Sequence, residues 1–330
     1  YSQINYQDSP VRVATLRYGD FFKWLNNVGD GLPAYVLVNM VSQNAEVVRL
    51  EQGMKYTTFD YFGRNLHRVL RFHYPTWMFA EVNFEIDENG HPWWICPREV
   101  KTIGLFGGTD IKGAIIINAA TGEHEYYDVA DVPTWVDKVY DSSLLVEQYD
   151  YYGTLINGFI NSVFGQRGCL HSTEGHNYIA LDDDVWLYTG VTSIGGDESN
   201  VGFVLMNSRT KETKYYQISG AKEYSAMSSA EGQVQHLGYN AAFPSLINID
   251  GSPTYIMVLK DNAGLVKMYA MVNIAKYQNV AIGETVAECV KDYQSLLKQD
   301  GISSNGTAVG TEVKAVIEKI SPVVIEGNSH

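Results

Sequence analysis

Tyr35-Val-Leu-Val-Asn39, Ile115-Ile-Ile-Asn118, Phe203-Val-Leu-Met-Asn207 and Tyr269-Ala-Met-Val-Asn273 are four β-prone runs, each ending on asparagine. β-Branched and aromatic residues suit a pleated, half-buried surface, and asparagine suits the turn that ends it. The residues that follow agree. Thr121-Gly122-Glu123 leads into Tyr126-Tyr127, and Thr210-Lys211-Glu212 leads into Lys214-Tyr215-Tyr216. Ser42-Gln43-Asn44 precedes Val47-Val48-Arg49-Leu50, and the last run turns near Lys276 and returns through Asn279-Val280-Ala281. Polar residues between two such runs predict a hairpin.

A helix is expected after each hairpin. Thr285 with Glu288 forms a capping box, and Val286, Cys289, Val290, Tyr293, Leu296 and Leu297 recur at helical spacing up to a stop at Gly301. Pro133 opens a second helix with Trp135, Val136, Val139 and Tyr140 as its apolar stripe. Asp60 to Phe72 and Glu223 to Leu237 supply the other two. Turn residues at Asp87, Asp182 and Asp250 place an extra strand pair upstream of three of the hairpins. The apolar spacing from Leu144 to Phe164 predicts one connecting helix, against which Gly153 and Gly158 count.

The fold class that follows is α+β: four tandem antiparallel hairpin-plus-helix units arranged as two pairs. The units span 1–80, 81–143, 176–240 and 241–301, with a connecting helix and loop over 144–175. Residues 302–330 read as a linker and the start of a truncated C-terminal β module. The asparagines are too unevenly spaced for a stacked solenoid.

Composition narrows the function classes. Of 330 residues, 45% are hydrophobic and 19% charged, as in a folded globular protein. A formal net charge of −14, without a Lys/Arg cluster to override it, disfavours nucleic acid as a partner. Three widely spaced cysteines form neither a disulfide framework nor a zinc pattern, and no cofactor is implied. Twenty-three tyrosines suit strands and interaction surfaces alike.

Several motifs carry candidate chemistry. Gly104-Leu-Phe-Gly107-Gly108-Thr-Asp110 resembles a phosphate loop but lacks its Lys-Ser/Thr ending. Gly195-Gly196-Asp197-Glu198 and Asn262-Ala263-Gly264 recur at the same hairpin position, so all three read as turns. Asp182, Asp183 and Asp184 could hold a hard cation, though without the distal glutamate of a calcium loop. Cys169, His171, Glu174 and His176 cluster in an unrepeated glycine-rich stretch, and a thiol or hydrolytic enzyme would be built on Cys169 with His171 or His176. Trp93, Trp94 and Trp186 are candidate binding anchors, including for cell-wall glycan.

Six stretches carry a resemblance over nearly the whole chain. They are Tyr61-Phe62-Gly63 to His73-Tyr74-Pro75, Gly104 to Asp110, Tyr149-Asp-Tyr-Tyr-Gly153, Asp183-Asp184-Val-Trp-Leu-Tyr-Thr-Gly190, Gly196-Asp-Glu-Ser199 and Lys222-Glu-Tyr-Ser-Ala-Met227. Together they resemble an uncharacterised family of Gram-positive bacterial membrane-anchored proteins. The resemblance implies an extracytoplasmic, cell-envelope location, with the membrane reached only through a segment upstream. It implies no catalytic residues. The hairpin-and-helix unit is also similar to PepSY-type modules, in architecture alone. The expectation is a non-catalytic scaffold or protein-interaction domain that binds a protein partner or itself.

Overall fold

A computed structural model describes residues 1–40, 44–104, 107–181, 183–194 and 199–299, with short segments at 324–325 and 328–329. The chain is mixed α+β, with several antiparallel sheets and few helices. The first sheet runs β1 (Ser2–Tyr6), β2 (Ser9–Thr15), β3 (Leu32–Asn39), β4 (Ala45–Met54) in sequential order. Helix α1 (Phe21–Asn27) interrupts it after β2 and α2 (Leu66–His73) follows it. The second sheet comprises β5 (Met78–Phe79), β6 (Asn83–Ile86), β7 (Pro92–Ile103), β8 (Gly107–Asn118) and β9 (His124–Asp128). Its long β7–β8 hairpin pairs Trp93 with Asn118 at one end and Ile103 with Gly107 at the other.

Helix α3 (Ser142–Leu155) leads to the third sheet: β10 (Leu170–Ser172), β11 (Asn177–Leu181), β12 (Asp184–Ser193), β13 (Ser199–Asn207), β14 (Thr213–Tyr216) and β15 (Gly220–Ala221). After α4 (Glu223–Gln233), the fourth sheet is built from β16 (Asn240–Ala241), β17 (Ser245–Ile249), β18 (Ser252–Lys260), β19 (Val266–Asn273) and β20 (Val280–Gly283). Helix α5 (Val286–Gln299) follows, and Val324–Ile325 pairs with Asn328–Ser329.

The chain divides into two compact units. Unit 1 holds 1–147, 179–186 and 206–212, and unit 2 holds 148–178, 187–205 and 213–330. In unit 1 one core joins the faces of the first two sheets, through Ile4, Val13, Tyr35, Phe84, Trp94 and Ile115. In unit 2 Cys289, Tyr293 and Leu297 of α5 pack with Ile256 and Met271 of the fourth sheet.

The asparagines earn their places. β3, β8, β13 and β19 each end on one, and each asparagine amide donates to a carbonyl across the turn: Asn44 (3.0 Å), Glu123 (2.9 Å), Glu212 (2.8 Å) and Asn279 (3.1 Å). The side chains of Asn118, Asn207 and Asn273 also accept amides of their own turns, at 2.9–3.0, 2.8–2.9 and 2.9 Å. A short side-chain acceptor thus holds the turn that a longer residue could not reach.

The capping box forms, with Glu288 N donating to Thr285 Oγ1 at 3.2 Å and Thr285 N to Glu288 Oε2 at 3.3 Å. The expected helix at Pro133 does not. Asp137 and Lys138 donate their amides to the Glu85 carboxylate at 2.9 and 3.0 Å, and Val139 and Tyr140 donate theirs to the Ser208 carbonyl. Backbone donors engaged this way cannot form an i→i−4 ladder, although Val136, Val139 and Tyr140 are still buried. The connecting helix is also shorter than expected, since α3 ends at Leu155. The Gly301 stop, the Ser42-Gln43 turn, Leu105-Phe106, Asp182, Gly195–Glu198 and most of 302–330 lie outside the described residues.

Candidate functional site

In unit 2 the chain between α3 and β10 exposes its largest apolar side chains. Leu155, Ile156 and Val163 are exposed, Phe159 and Ile160 are each 74% exposed, and Phe164 reaches 86%. Two glycines shape the segment. A Cβ at Gly153 would lie 2.5 Å from the Leu170 carbonyl, so glycine lets α3 approach β10. Gly158 has φ +87°, a region L-residues avoid, and there the helical path breaks. A single π-helical turn, Asn161–Gly165, follows.

The reactive cluster anchors this loop. The Cys169 thiol is fully buried and donates to the Thr154 carbonyl at 3.3 Å, while Asn161 Nδ2 lies 3.4 Å from the sulfur. Asp150, in α3, accepts the Ser172 amide at 2.7 Å and its hydroxyl at 3.0 Å. The same carboxylate lies 3.2 Å from His171 Nε2, an ion pair whenever that ring is protonated. His176 sits elsewhere, edge-on to Tyr178 at 5.7 Å. The cluster therefore ties α3 to β10. The hydrogen-bond partners of the thiol are Thr154 and Asn161, and no imidazole is among them.

The other sequence candidates are dispersed. Trp94 and Trp186 are each 4% exposed and donate their indole N–H groups to the carbonyls of Tyr56 and Leu181. Trp93 is half-buried, stacked at a tilt on Trp135 and bonded to Asp87 at 3.1 Å. Asp183 accepts from Asn5 Nδ2 at 2.9 Å. Asp184 is engaged on both oxygens by Arg209 and also accepts from Asn207. Such a fork leaves that carboxylate little capacity for a cation. Among the described residues no group of three His, Cys, Asp or Glu could hold a metal ion, and no helix is long and apolar enough to cross a membrane.

Unit 1 carries a second exposed surface that sequence reading missed. Asp20 caps α1 through the Lys23 amide at 2.8 Å, and the helix presents Phe21, Phe22 and Leu25 to solvent. Tyr61 and Phe62, before α2, join them. Phe21 lies 5.1 Å from Tyr61 in a T-shaped contact, and the Trp24 ring is 5.1 Å from Tyr61 and 5.8 Å from Phe62. Beneath the rings, buried Asp60 accepts Trp24 Nε1 at 2.8 Å and the Thr57 hydroxyl at 2.6 Å. Burial pushes the Asp60 carboxyl above its ordinary range, and these two donors pull it back.

Buried acids are the other residues that sequence reading missed. Glu85 and Asp137 in unit 1 are almost fully buried together. Burial raises both, and the Glu85 charge raises Asp137 further. In unit 2 burial raises Glu223, whose carboxylate receives Asn200 Nδ2 at 3.4 Å. Asn200 also donates to Tyr255 Oη at 2.9 Å, and Tyr255 to the Ala221 carbonyl at 3.1 Å. Phe84-Glu85-Ile86, an acid between two apolar strand residues, was the available signal for Glu85. Glu223 at the start of a helix reads as an ordinary surface acid, and nothing local marks it as buried.

Both exposed surfaces are apolar and neither brings together a nucleophile, base and oxyanion donors. Comparison with protein-family models, with curated proteins and with solved structures returns no match.

Proposed function

We propose that this chain is a non-catalytic scaffold or protein-interaction domain of the bacterial cell envelope, exposed outside the cytoplasm and tethered to the membrane by another part of its protein. The observation that carries the reading is the cluster of exposed rings Phe21, Phe22, Tyr61 and Phe62 on unit 1, packed over the buried Trp24, whose indole is fixed from below by Asp60. Contiguous exposed apolar surface of this kind marks interaction sites, and rigid rings lose little entropy when covered. The resemblance to a membrane-anchored family supports the location, and the asparagine-ended hairpins support a finer architecture of four PepSY-like units arranged as two pairs.

The partner is a protein, either another envelope component or a second copy. A photoreactive amino acid placed at Phe22 and activated in the native envelope is expected to give a discrete cross-link that Phe62→Ser abolishes. A strict monomer in sedimentation velocity, together with no cross-linked species at Phe22, would remove the reading.

A further inference from the structure

The loop between α3 and β10 exposes its apolar side chains and satisfies several of its polar groups within itself. Asn157 and Asn161 donate their side-chain amides to the Arg167 carbonyl at 3.1 and 3.0 Å, and Asn161 Oδ1 accepts the Arg167 amide at 3.2 Å. Ser162 donates its hydroxyl to the Phe159 carbonyl at 2.7 Å. The backbone closes on itself, with Gly158 N bonded to Leu155 O, Ser162 N to Gly158 O and Gln166 N to Asn161 O. The apolar side chains are exposed, and Phe159, Ile160 and Phe164 are the furthest exposed of them.

Charge follows the same design. From Tyr151 to Thr173 the chain contains no Asp or Glu, and Arg167 is its one formal charge, in a protein of net charge −14. One turn back along α3, Tyr151 and Tyr152 are exposed. Tyrosine is enriched where hydrocarbon meets headgroups, and an arginine stem can bury while its guanidinium reaches phosphate.

We infer that this loop enters the interfacial layer of a lipid bilayer, with Phe159, Ile160, Val163 and Phe164 at the acyl boundary and Tyr151 and Tyr152 among the headgroups. Hydrocarbon favours segments whose backbone polar groups are satisfied internally, and here Asn157 and Asn161 satisfy the carbonyl and amide of Arg167. A fluid bilayer closes around side chains exposed this far, whereas a protein would have to supply a fitted socket. The absence of carboxylates lets the loop approach an anionic surface that repels the rest of the chain. The inference is independent of the aromatic surface on unit 1.

The test is flotation of the full chain with vesicles of phosphatidylcholine, and of phosphatidylcholine with phosphatidylglycerol. The chain is expected to float with both. The double variant Phe159→Ser/Phe164→Ser should partition about 100-fold more weakly into either, from the apolar area withdrawn. Its Tm should match the wild type, because neither ring packs in a core. A Val163→Cys variant carrying an environment-sensitive fluorophore should brighten and blue-shift on vesicle addition. Three results would overturn the inference: no flotation with either vesicle, flotation with anionic vesicles only that the double variant retains, or a dimer lost in the double variant without vesicle binding.

Discussion

In unit 1 the exposed apolar surface is a cluster of rings contributed by α1 and the turn before α2, held from beneath by a single buried carboxylate. In unit 2 it is one continuous loop that bonds several of its polar groups to itself and is tied at its base by Asp150, Asn161 and Cys169. Rings in fixed mutual geometry suit a partner with a shape of its own. A loop of aliphatic and phenyl groups that make no ring contacts among the described residues suits a partner that has none. Exposure alone therefore does not separate the two surfaces; under the two proposals, the way polar groups beneath each are satisfied does.

Removing the anchors should separate the two designs. Asp60→Ala leaves the Trp24 indole N–H and the Thr57 hydroxyl buried without an acceptor, and about 2–4 kcal/mol of stability should be lost. Denaturant unfolding measures it, and the Phe22 cross-link should vanish with the ring geometry. Asn161→Ala removes the closure of the loop at a smaller cost of about 0.5–1.5 kcal/mol, because its bonds to Arg167 are exposed and water can replace them. Hydrogen exchange should then rise across 155–168, while amides of unit 1 keep their protection.

A smaller effect comes from the buried acid of unit 2. A carboxyl raised by burial holds its proton in the folded chain at pH values where the unfolded chain has released it. Its contribution is therefore complete below the unfolded pKa, about 4.3, and is lost as pH rises toward the folded value. Glu223→Gln removes that loss, so its Tm should gain on the wild type by a few degrees between mildly acidic and mildly basic pH. A Tm difference independent of pH would mean that Glu223 is ionised in place. The smallest effect is expected from Phe22→Ser, whose exposed ring contributes less than about 0.5 kcal/mol to folding although it is central to the proposed contact.

Much of the strand framework was legible. The asparagine-ended runs and the Thr285/Glu288 box rest on interactions within a few residues, which a linear reading can weigh. The expected helix at Pro133 failed because Glu85, far away in sequence, takes the amides of Asp137 and Lys138. The loop after α3 was misread for another reason. Its apolar spacing is that of a core helix, and periodicity does not tell whether the stripe meets protein or solvent. Gly153 and Gly158 were the local warning, one for the close approach of Leu170 and one for the break. Cys169 and His171 were visible as part of a cluster with Glu174 and His176, but the tie that Cys169 and His171 make to α3, and the part Asn161 takes in it, needed the placement of β10 against α3.

The comparison of the two surfaces can be decided by vesicle flotation of two variants side by side, Phe22→Ser/Phe62→Ser and Phe159→Ser/Phe164→Ser. The first should float as the wild type does, and the second should bind about 100-fold more weakly. Equal losses in both variants, or no loss in either, would contradict the assignment of lipid to the unit 2 loop and protein to the unit 1 rings.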